Sequence, residues 1–73
     1  MDKATYIRSE RQRRKVSQME LAARLGLWRT TLSDIENGRI EVSEEQFHTI
    51  LATIRDLCRE RASAEPADTV SRQ

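Results

Sequence analysis

The sequence has little of what breaks helices or cross-links chains. Two glycines and one proline stand among 73 residues, a scarcity that favours helices over strands. The single cysteine, Cys58, excludes an internal disulfide. No run approaches the length of a membrane span, and Met1-Asp2-Lys3 begins no signal peptide. The expected compartment is therefore a reducing cytoplasm, bacterial or phage-infected. No nucleophile–base pair and no metal set with suitable spacing is present, and the chain leaves little volume for a pocket. An enzyme is not expected, nor a cofactor or metal.

What is present is one small domain, 37% apolar and 34% charged. A core of this size is marginal, and a partner or dimer interface would help it. The net charge of +1 says little by itself. Its distribution says more. Residues 1–41 hold nine Lys/Arg against six Asp/Glu, a balance of +3, while residues 42–73 hold four against six, a balance of −2. A basic half facing phosphates and an acidic half facing away suits a DNA binder, although an ordinary salt-bridged surface gives the same count.

The chain is organised around Ser17 to Arg39. Apolar residues fall at Leu21, Leu25, Leu27, Leu32 and Ile35. Ala22 lies where two helices crossing at about 90–120° come closest. Gly26 lies just past the first of them, where a left-handed residue lets the chain turn. Small and apolar demands met together over this stretch indicate a helix-turn-helix, with residues 17–38 as its core. Ser17 and Glu20 form a capping box, and Val16 with Leu21 a hydrophobic staple. Leu27 and Leu32 repeat the staple spacing, which seats Trp28 at the N-cap of the next helix. Tryptophan offers no side-chain oxygen there. Gly38 supplies the left-handed exit.

Before this core, residues 3–14 read as a first helix with Asp2 as N-cap. The cluster Arg11, Arg13, Arg14 and Lys15 ends it, suited either to the helix C-terminus or to phosphate contact. After the core, Ser43 and Gln46 make a second capping box, and Val42 with Phe47 a third staple. The stripe Phe47, Ile50, Leu51, Ile54, Leu57, Cys58 predicts a long fourth helix to about Ala62. The domain is expected over 1–63, with 64–73 a flexible, polar tail containing Pro66.

Arg11, the run SQMELAARLGL, the run TLSDIENGR, and Phe47, Ile50 and Ile54 resemble the Xre/Cro-type helix-turn-helix family of phage repressors, Cro proteins and controller proteins. The resemblance covers roughly residues 4–55. It implies an all-α bundle of four to five helices whose third helix, residues 28–37, reads DNA. It also implies a structural pair between Arg11 and Glu36, and an arginine fork is the best partner for a partly buried carboxylate. Position by position it places Gln18 against a phosphate, and Asn37 and Arg39 on the DNA backbone. Arg29, Thr30, Ser33 and Asp34 lie on the helix face opposite Leu32 and Ile35, where base edges can be read. Trp28 either packs on the second helix or touches the groove edge.

The sequence departs from the family in three places. Trp28 replaces the usual small cap. Glu10 stands where many members have an apolar residue, so the first helix should dock with less area. No glycine turns the fourth helix into a fifth. The last departure suggests a homodimer through the fourth helix at Ile54, Leu57 and Cys58; the alternative is that these residues fold back on Tyr6 and Ile7. The expected function is a dimeric repressor on an inverted-repeat operator in double-stranded DNA, with no membrane association. The alternative is a protein-interaction module, an antitoxin or antirepressor holding a protein partner.

Overall fold

The computed structural model describes the backbone of residues 2–71 and the side chains of residues 2–62. It contains four helices, α1 (Lys3–Arg13), α2 (Gln18–Leu25), α3 (Arg29–Glu36) and α4 (Glu44–Ser71), and no strand among the described residues.

Each boundary has a local cause. Asp2 caps α1 by accepting from the Thr5 backbone N–H at 2.8 Å. The helix ends where Lys15 turns left-handed at φ 59°. Lys15 N–H then donates to Gln12 O, and Val16 N–H to Arg11 O, both at 3.0 Å. This pair of bonds satisfies the last carbonyls of the helix. Ser17 and Glu20 satisfy each other's backbone N–H at 3.0 Å, which starts α2. Gly26 at φ 74° and Gly38 at φ 79° supply the exits from α2 and α3. Ser43 and Gln46 open α4 with the same reciprocal bonds.

The core forms where α1 and α2 both meet α3 and α4. Ile7, Val16, Leu21, Ala22, Leu32, Ile35, Ile50, Leu51 and Ile54 are buried, and Leu25, Val42, Phe47 and Leu57 pack against them. Tyr6 meets Phe47 edge-on, with ring centres 5.7 Å apart. Glu10 is nearly covered, at 11% side-chain exposure, and accepts from both Arg13 and Arg14. Much of the basic end of α1 is thus bound to its own helix.

α4 runs to Ser71, beyond the end near Ala62 expected from the sequence. No glycine follows Gly38 to stop it. The side chains of the expected tail at 64–73 lie outside the described residues. The glycine turn and fifth helix implied by the family resemblance do not occur among the described residues.

Candidate nucleic-acid interface

α3 is held by one face. Leu32 is fully buried and Ile35 nearly so, and the Glu36 carboxylate faces inward beside them. Arg11 grips Glu36 with Nε at 2.7 Å and Nη2 at 3.0 Å, and its Nη1 donates to the Val16 carbonyl at 2.9 Å. Gln18 Nε2 donates to the same carboxylate at 3.1 Å. α1, the α2 start and the α3 end are therefore joined at one carboxylate, and the orientation of α3 follows from that junction.

The opposite face is open. Arg29 and Thr30 are exposed, Ser33 and Asp34 half-buried, and Asn37 and Arg39 exposed. Asn37 Nδ2 donates to Ser33 Oγ at 3.4 Å. Arg39 Nη1 lies 3.5 Å from Asp34 Oδ1. Trp28 stands at the head of this face with 81% of its surface exposed. It occupies the N-cap in extended conformation and its side chain makes no capping bond. With that exposure the ring is not packed into α2, the first of the two placements the sequence allowed.

A family model described as a helix-turn-helix domain matches residues 4–62. The chain belongs to this Xre-like helix-turn-helix family. No curated protein and no solved structure matches the chain at a significant level. Family membership makes the coarse function of the helix-turn-helix domain DNA binding by a regulator. No described helix is long and apolar enough to cross a membrane.

Within the helix-turn-helix domain, the side chains expected to meet DNA lie on α3, at the head of α2 and in the loop after α3. Gln18 differs in one respect from the phosphate contact expected of it. One of its amide hydrogens is engaged by Glu36, which leaves the other hydrogen and the carbonyl for a ligand. The basic cluster at the end of α1 is divided: Arg11 is buried on Glu36, and Arg13 and Arg14 clamp Glu10. Among the described residues, Arg8, Lys15 and Arg29 form no ion pair within 4.0 Å.

Of the three residues expected at a dimer surface, the monomer core takes one entirely. Ile54 is fully buried in the monomer core, so it cannot meet a second copy. Leu57 packs against the same core, in a cleft shared with Glu20, Ala23, Arg24, Glu60 and Arg61. Cys58 is half-buried. The α4 stripe holds α1 and α2 through Ile50, Leu51 and Ile54, while Leu57 and Cys58 keep part of their surface exposed.

Two cross-ties were missed from the sequence. Arg24 makes two bonds to Glu60, at 2.9 and 2.8 Å. Arg61 donates to Glu20 at 2.8 Å and to the Lys15 carbonyl. Their separations of 36 to 46 positions leave no local pattern to read.

Proposed function

We propose that the domain reads the major groove of an operator with α3 and represses transcription by occupying it. The observation that carries this reading is the division of α3: Leu32, Ile35 and Glu36 are buried, while Arg29, Thr30, Ser33 and Asp34 are presented on the other side. Arg29 takes guanine O6 and N7 through two hydrogen bonds, and Asp34 accepts from cytosine N4. Thr30 and Ser33 meet base edges or a thymine methyl. Trp28 lies against sugar or thymine methyl at the groove edge. Gln18, Asn37 and Arg39 hold the phosphate backbone, which sets register but carries no sequence information.

The protein acts as a homodimer on an inverted repeat. A single module of this kind covers only roughly 600–1,000 Å² of protein surface. Two copies with reading helices about 34–36 Å apart double the contact on one DNA face.

Selection from a randomised duplex pool at ~150 mM salt tests the reading, because weak electrostatic binding is suppressed there. Enrichment of an inverted repeat supports the dimeric operator binder. A lone half-site keeps the reader and removes the dimer. Folded protein that enriches nothing overturns the reading.

A second reading, a protein-interaction module, is favoured by one observation. A groove of about 400 Å³ runs beside α3, lined by Leu25, Leu27, Ile35, Ile40, Val42 and Ile50 among others. Leu27 and Ile40 are 36% and 41% exposed there. A protein partner retained by the folded domain while the pool selection fails would establish this reading.

A further inference from the structure

Asp34 is the one acidic side chain on the presented face of α3, and it does not stand alone. Arg39 Nη1 lies 3.5 Å from its Oδ1, with side-chain exposures of 75% and 39%. That distance is longer than the ~2.7–2.9 Å of a charge-assisted hydrogen bond. The contact is therefore a loose ion pair that can exchange partners. The backbone keeps it together. Gly38 turns left-handed, and the Arg39 N–H then donates to the Asp34 carbonyl at 2.8 Å. The Ile40 N–H approaches the same oxygen at 3.4 Å. The two side chains thus leave the chain from neighbouring points.

We propose that Asp34 is a positioning residue that holds Arg39 away from the DNA backbone until a matching base takes its place. The inference rests on the DNA reading of this face. On an arbitrary duplex, phosphate must compete with the Asp34 carboxylate for the Arg39 guanidinium. The carboxylate, once released, faces phosphates of its own sign. At a site that presents a cytosine, N4–H donates to Asp34 as Arg39 moves to a phosphate. Both partners of the pair are then exchanged for partners on DNA. Base reading and backbone contact are coupled, and discrimination rises because non-specific binding is weakened.

A double-mutant cycle on a random-sequence duplex tests this without knowledge of the operator. Wild type, Asp34→Asn, Arg39→Gln and the double variant are titrated by fluorescence anisotropy at about 50 mM salt, where non-specific binding is measurable. Both side chains reach solvent, and circular dichroism checks that all four proteins fold. Asp34→Asn should tighten non-specific binding about two- to five-fold, the range of an exposed ion pair. The same change in the Arg39→Gln background should give a smaller gain, because only the repulsion of Asp34 itself remains. An equal gain in both backgrounds overturns the inference and leaves the DNA reading standing. Folded wild-type protein that binds no duplex overturns both.

Discussion

Arg11 and Glu36 are 25 positions apart, yet they meet as a two-pronged pair, Nε to Oε2 at 2.7 Å and Nη2 to Oε1 at 3.0 Å. Both side chains are almost wholly withdrawn from solvent, at 11% and 1% exposure. The third arginine nitrogen is satisfied by the Val16 carbonyl, and Gln18 completes the carboxylate. Among the described residues, no buried side-chain nitrogen or oxygen lacks a partner.

Removing one member should therefore be far worse than removing both. Arg11→Ala leaves the Glu36 carboxylate without its cation, a loss of about 3–5 kcal/mol. For a domain of this size each kcal/mol moves the melting temperature by about 4–8 °C. Arg11→Met combined with Glu36→Leu should recover part of the loss, since apolar replacement of a whole buried pair is often tolerated. Thermal melts decide: an Arg11→Ala melting temperature within a few degrees of wild type denies the pair its structural role.

Trp28 sets stability against binding. Its backbone has the cap conformation, with φ −70° and ψ 145°, but its side chain supplies no acceptor. Trp28→Ser adds an oxygen for the orphan N–H groups and should stabilise the fold by about 0.5–2 kcal/mol. The same substitution should weaken operator binding if the ring touches DNA. Because Trp28 is the sole tryptophan, its fluorescence reports directly on the groove. A serine variant that is no more stable, or that binds as wild type does, removes one half of this account or the other.

Arg29 and Arg39 should fail in different ways. Arg29→Ala should lose about 1–3 kcal/mol of discrimination at one base position and relax specificity there. Arg39→Gln should weaken binding at the selected site and lower the magnitude of the salt slope there by about 1, with a smaller effect on random duplex, where Asp34 already holds the guanidinium. Binding isotherms on the selected site and its single-base variants separate the two patterns. An Arg29→Ala variant that discriminates among the single-base variants as wild type does would remove Arg29 from the base edges.

Acid should loosen the carboxylate pairs within α1 and those that join α2 to α4. Glu10 is held below its ordinary value of 4.5 by Arg13 and then Arg14. Glu20 is lowered by the Ser17 backbone and by Arg61, and Glu60 by Arg24. Folded values below the unfolded ones mean that this stabilisation is fully present above about pH 4.5 and is lost as pH falls through the lowered values. Urea midpoints should drop in that acid window, and less so in a Glu10→Gln, Glu20→Gln variant. An equal acid loss in that variant and in wild type would show that the stabilisation resides elsewhere.

Local physics made much of this legible in advance. Caps, staples and left-handed glycines act over three to five residues, so Asp2, Ser17, Gly26, Gly38 and Ser43 could be placed by inspection. The 3.6-residue periodicity marked the apolar faces. It could not say what each face would meet. Ile54 belongs to a stripe that suits a second copy or the monomer core equally well, and periodicity is the same in both.

The chain by itself determined where the four helices start and which side chains lie on the outer face of α3, because each depends on neighbours in sequence. Tertiary structure alone decided that Ile54 and Leu57 close the monomer and that Trp28 stands free. It also decided that Arg24 and Arg61 tie α2 to α4, and that Gln18 shares the Glu36 carboxylate with Arg11. These outcomes depend on which surfaces come together across 18 to 46 positions. Only the assembled core sets those distances.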